Sequence, residues 1–147
     1  MMTELELRSG SWSSDVWPVW RVCGEDFDVD DFLARFPAIQ ARRTWRRGEP
    51  RSQIRPAPNV DSGFAVTLED ATDAEDAVAT CCRYFSELES ALREIGSKSL
   101  SSTLDLGLTI STRKVAMRSV RVSPSLLGLL GNFGVTLELT MYLSDEE

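Results

Sequence analysis

The residues best equipped for chemistry lie in two short runs of opposite charge. Glu25, Asp26, Asp28 and Asp30 follow Gly24, and Arg43, Trp45, Arg46 and Arg47 stand a little downstream. Carboxylates at alternating positions 26, 28 and 30 have the spacing with which a calcium loop begins. Such a loop needs glycine at its sixth place and a bidentate glutamate at its twelfth, where this chain has Asp31 and Pro37. Helix capping accounts for the same acids: Asp28 can cap a helix start, with Asp30 and Asp31 in its electropositive first turn. The arginine run has two readings. Guanidinium forks beside an aromatic ring suit phosphate or carboxylate recognition and serve as interface anchors. The plainer reading is a solvated strand end and loop, paired with the protein's own excess of acid.

Other chemistries find little support. The chain contains no histidine, which removes His-based general bases, Ser-His-Asp and Cys-His nucleophile systems, and most zinc sites. Lys98 and Lys114 are the only lysines, and neither lies in a recognisable motif. Glu25 with Asp28, or Glu69 with Asp70, could form an acid/base pair, but solvated positions near helix starts explain them more simply. Phosphate-binding glycine loops of the Walker or dinucleotide type are absent. Cys23, Cys81 and Cys82 form an odd set without C-x-x-C spacing, which reads as reduced thiols in a cytoplasm, with core packing for the adjacent pair. No metal and no cofactor is expected.

Charge bounds the partners. The formal net charge of −7 disfavours nonspecific nucleic-acid binding, whose affinity comes from cations neutralising phosphates. An acidic protein suits a basic protein partner instead. The longest strongly apolar stretch, Leu126 to Leu130, is too short to span a bilayer, and the acidic start of the chain lacks a signal-peptide core. A soluble cytoplasmic protein without membrane attachment is the expectation.

The elements that must position these residues can be read from periodicity. One domain over residues 1–147 is expected, with loose ends at 1–13 and 144–147 and a long exposed loop at 48–62, rich in Pro, Arg and Ser. Val16 to Cys23 reads as a strand that Pro18 confines to an edge or a strand start. A short helix follows, with Phe32, Leu33 and Phe36 on its apolar face and Pro37 at its end. Strands are expected at Ala38 to Trp45 and at Gly63 to Leu68, where Phe64, Val66 and Leu68 alternate. Thr72-Asp73-Ala74-Glu75 reads as a capping box opening one long helix, whose apolar residues recur from Val78 to Ile95 until Gly96 closes it. Leu104, Leu106, Leu108 and Ile110 alternate with Asp105, Gly107 and Thr109, which makes a strand with one buried face. A further strand is expected at Val115 to Val122. Ser123-Pro124 then starts a Leu-rich helix that Gly131 and Gly134 end, and Val135 to Leu143 alternates as the last strand. Trp17 and Trp20 are expected to pack into the sheet, with a binding surface as the other reading.

The order β-α-β-β-α-β-β-α-β predicts an α+β two-layer sandwich, related to the ferredoxin-like order: a mostly antiparallel sheet of about six strands with helices on one face. The stretch Gly24-Glu25-Asp26-Phe27-Asp28-Val29-Asp30-Asp31-Phe32, followed by Thr44-Trp45-Arg46-Arg47-Gly48, resembles the opening of a bacterial family of domains of unknown function, numbered 4279. Ser119 to Tyr142 resembles its C-terminal half. Val29 stands where that pattern usually has proline, Phe36-Pro37 where it has Leu-Gly, and the loop from Glu49 to Ser62 is long for it. The resemblance implies a small α+β protein of the bacterial cytoplasm, of the kind found as immunity partners of toxins, and it brings no catalytic assignment. The functional expectation is a non-catalytic protein-binding domain, an immunity-type inhibitor of a basic toxin domain acting through acids near Glu25 to Asp31 or Glu69 to Asp76. The alternatives are a sensor for small anionic ligands using the arginines around Trp45, and an unrecognised carboxylate enzyme.

Overall fold

The computed structural model describes residues 16–68, 73–111 and 119–144. Alternating β-branched and aromatic residues from Val16 onward form strand β1 (Val16–Gly24), which places Val16, Pro18, Trp20 and Val22 on one face and Trp17, Val19 and Arg21 on the other. Helix α1 (Val29–Arg35) starts where expected: the Asp28 side chain accepts a hydrogen bond from the Asp31 N–H at 3.1 Å. Strands β2 (Arg43–Trp45) and β3 (Ser62–Thr67) follow as an antiparallel pair. β2 is shorter than the strand expected from Ala38, because Pro37 to Ala41 lead into it as irregular chain that buries Ile39.

The helical stretch from 73 departs from the single long helix expected. Helix α2 (Ala74–Ser86) is capped by Asp73, whose side chain accepts from the Asp76 N–H at 2.8 Å; Thr72 lies outside the described residues. The helix stops at Glu87. The N–H groups of Glu87 and Leu88 turn to the carbonyls of Tyr84 and Phe85, three residues back, and the Ser86 hydroxyl donates to the Arg83 carbonyl. These tighter bonds end the ladder, since hydroxyls bonded to nearby carbonyls compete with helix propagation. Helix α3 (Glu89–Ser97) then restarts and includes Gly96, with Ser99 beyond it at a left-handed φ of 56°.

Strand β4 (Ser101–Ser111), helix α4 (Pro124–Asn132) and strand β5 (Thr136–Ser144) complete the described fold. Of the strand expected at Val115 to Val122, residues 112–118 lie outside the described residues, and Ser119 to Val122 belong to no strand. Ser123 caps α4 through the Leu126 N–H at 3.2 Å, with Pro124 as its first residue, and Gly134 takes the left-handed φ of 69° past its end.

The described strands form one sheet in the order β2-β3-β1-β4-β5. It is mixed: β4 and β5 run parallel, joined through α4, and the other pairings are antiparallel. A parallel pair needs such a crossover, and a helix supplies it. β1 is central, so of the two placements that Pro18 left open, an edge or a strand start, the structure has the proline near the strand's start. The proline is tolerated because pairing with β3 begins only at Val19, while the Pro18 carbonyl accepts the Leu68 N–H at 3.0 Å. Trp20, Val22, Phe64, Val66, Leu104 and Leu106 share one core cluster with Phe32, Cys81, Phe85, Leu92, Ile95, Leu126 and Leu130 of the helices. All four described helices thus cover one face of the sheet, as two layers require.

Candidate functional site

Both charged runs lie at one end of the sheet, and they meet there. The turn after β1 carries Glu25 and Asp26, and α1 begins with Asp28 as cap and Asp30 in its first turn. Strand β2 delivers Arg43 and Trp45, and Arg46 and Arg47 follow it. Arg46 grips Asp30 with both arms of its fork, its Nε to Oδ2 at 2.9 Å and its Nη2 to Oδ1. Arg47 Nη1 lies 3.8 Å from Asp26 Oδ1, a looser ion pair. The bond from Arg46 lowers the Asp30 carboxyl below its usual pKa, and the same bond raises that of Arg46.

Trp45 anchors this edge. Its Nε1 donates to Asp61 Oδ1 at 2.9 Å, its ring lies over Gly63, and the Arg43 guanidinium sits 5.0 Å from the ring centroid. A Cβ at Gly63 would come within 2.4 Å of the Val22 carbonyl oxygen and 2.6 Å of Trp45 Cζ2. Glycine is therefore what lets the indole rest on the sheet. The loop expected at 48–62 is organised as an arm continuing the β2–β3 hairpin. The Gly48 N–H donates to the Asn59 carbonyl, the Asn59 N–H to the Glu49 carbonyl and the Arg51 N–H to the Ala57 carbonyl, Pro50 bridges Pro58, and Ser62 already belongs to β3. Ile54 at its tip is exposed between the exposed Arg51 and Arg55.

Of the expected site residues, Asp30 is thus joined to Arg46 and Asp26 to Arg47, while Arg43 and Trp45 lie on the sheet face away from α1 and Glu25 is exposed. A groove of about 420 Å³ runs along Gly24 to Asp28 and is bounded by Lys98, Ser99 and Leu100. Lys98 itself pairs with Glu94 at 3.0 Å. Glu69, Asp70 and Lys114 lie outside the described residues. Among the described residues no group of three or more His, Cys, Asp or Glu side chains is placed to hold a metal ion. Cys81 is buried and its thiol is pushed up to about 12 by burial and by neighbouring Cys82, so it is a poor nucleophile. Cys23 is raised by burial and by Asp61.

A second constellation, on the sheet face away from the helices, was not singled out from the sequence. Asp105 is buried there, accepting from Arg21 Nη2 at 3.3 Å and from the Thr140 hydroxyl at 2.8 Å, and Arg21 also reaches Glu138 at 3.2 Å. Trp17 lies over Gly107 and stacks on Tyr142 at 5.5 Å. Its companion Trp20 is instead fully buried, donating to the Ser102 hydroxyl at 2.9 Å. The signal for this group was an acid in the polar phase of an otherwise leucine-rich strand.

Neither curated proteins nor solved structures yield a match to the chain. A family model described as a domain of unknown function, DUF4279, matches residues 20–144 and so takes in β1 from Trp20, the charged edge and the last helix and strand. The chain belongs to the DUF4279 family.

Proposed function

We propose that this chain is a non-catalytic protein-binding domain of the bacterial cytoplasm, an immunity-type inhibitor that receives a basic surface of a toxin on its Asp26–Asp30 edge. The observation that carries the reading is how these acids are held. The side chains of Asp26 and Asp30 are 99% and 65% exposed, and each is engaged by an arginine from the neighbouring strand end. Exposed pairs of this kind contribute little to stability. A partner's cations can therefore take the places of Arg46 and Arg47 at little cost, and the net charge of −7 steers such a partner inward. Three unpaired cysteines suit a reducing compartment.

A second reading takes the arginines as the binding groups: Arg43 over Trp45, together with Arg46 and Arg47 that follow in the chain, would hold a small anion. One variant separates the two, because the acids and arginines neutralise each other. Asp26→Asn with Asp30→Asn removes the charges a basic partner needs and frees the arginines for an anion. Under the first reading the variant loses a partner that tagged wild-type protein retains from native cells at low salt and releases at high salt. Under the second, phosphate or citrate raises the variant's melting temperature more than the wild type's. Retention of the same partner by the variant at unchanged salt dependence would sink the first reading.

A further inference from the structure

The sheet's two outer strands are unlike each other. β2 is three residues long and carries an exposed arginine at Arg43, which is how natural sheets protect an edge. β5 has nine residues, no proline and no lysine, and among the described residues nothing pairs with its outer side. Leu139, Met141 and Leu143 are 55%, 63% and 74% exposed, and Tyr142 is half exposed on the opposite face. Such a strand is a template for another strand, whose backbone would complete its hydrogen bonds and whose side chains would cover the apolar row.

We infer that the occupant is a second copy of this chain, paired antiparallel through β5 about Thr140 to make one continuous sheet across two copies. The strand complements itself in that register. Leu139 falls opposite Met141 and Leu137 opposite Leu143, each pair on the face shared with the helices, and Thr136 falls opposite Ser144 so that all nine residues are matched. Charge allows it as well. Glu138 is the strand's only carboxylate, it is held by Arg21 of its own copy, and it meets Tyr142 of the other copy instead of a second carboxylate. An isologous pairing of this kind closes, so the assembly stops at two. The Asp26–Asp30 edge and the arm lie beside β2, at the far side of the sheet, and remain open in both copies.

The test is sedimentation and light scattering of the full chain at roughly 10 to 100 μM, where an interface of modest strength is populated. A dimer is expected that persists or strengthens as salt is raised, since apolar cover and backbone bonds hold it against the repulsion of two acidic chains. Met141→Lys should yield a monomer with an unchanged circular-dichroism spectrum. Thr140→Cys should give a covalent dimer on mild oxidation that the wild type does not, because residues on the two-fold axis of an antiparallel pair come within disulfide reach. A wild-type monomer over this range overturns the inference. So does a dimer that Met141→Lys leaves intact, or a Thr140→Cys chain that stays unlinked.

Discussion

Asp105 stands where a strand of leucines turns its other face away from the helices, and its burial is tolerable because each carboxylate oxygen has a donor. Arg21 and Thr140 supply the donors from the strands on either side. A buried acceptor that loses its partners costs about 1–3 kcal/mol, and so does a donor left behind. Asp105→Ala should therefore lower stability by about 1–3 kcal/mol in urea unfolding. Asp105→Asn, which keeps an acceptor for Thr140, should cost less, and equal losses would show that hydrogen bonding is not what the site depends on. At this scale the sequence was informative about type and phase, since Asp105 sits among alternating leucines. It was silent about partners: Arg21 and Thr140 lie 84 and 35 residues away along the chain, and nothing local to Asp105 names them. The same holds for Asp26 and Asp30: the arginine run was legible as paired with the protein's own acid, but nothing local assigned Arg46 to Asp30 or Arg47 to Asp26.

Helix starts were the most legible elements, because a cap is a local bond between a side chain and a backbone N–H a few residues on. Asp28 and Ser123 both do what their positions imply. Asp28→Ala should destabilise the protein by about 0.5–2 kcal/mol while Asp28→Asn or Asp28→Ser restores most of the loss, measured by thermal unfolding. No rescue by asparagine would assign the effect to charge instead of capping. The break between α2 and α3 was not legible, because Phe85, Leu88, Leu92 and Ile95 keep helical spacing straight through it and remain buried on both sides. Periodicity reports which face is buried and does not report whether the backbone between two buried residues has slipped a bond. β5 shows the converse: its alternation was visible, yet Leu139, Met141 and Leu143 are exposed at the sheet's edge, since alternation selects a face without saying whether anything lies against it.

For the molecule as a whole, the layer arrangement follows from the alternation of its strands and the stripes of its helices, but the strand order does not. β1 comes first among the described strands and ends in the middle, paired with segments up to 92 residues later. The helical layer is in turn braced by one ion-pair cluster. Arg35 of α1 holds Glu94 of α3 through both arms, at 2.7 and 2.5 Å, while Asp31 and Lys98 attach at either end. The bonds from Arg35, with those from Lys98, lower the Glu94 carboxyl from 4.5 to about 2. A depressed carboxylate adds stability that is present above its unfolded pKa and is lost as pH falls through the folded one. The contribution of Glu94 should therefore be whole at neutral pH and vanish between about pH 4.5 and pH 2. The difference in melting temperature between the wild type and Glu94→Gln should close over that window, and a difference that persists at the acid end would show that Glu94 acts through packing.

The central place of β1 also sets a timetable for synthesis. A ribosome releases this strand, with its tryptophans and valines, long before it has made β4, the neighbour that Val16 to Cys23 pair with along their whole length. At ordinary elongation rates the gap is on the order of ten seconds. Until then β1 can pair on one side only, with β3, which makes the growing chain a natural client for a chaperone and leaves any fragment stopped before Ser101 with its central strand open along the edge that β4 would fill.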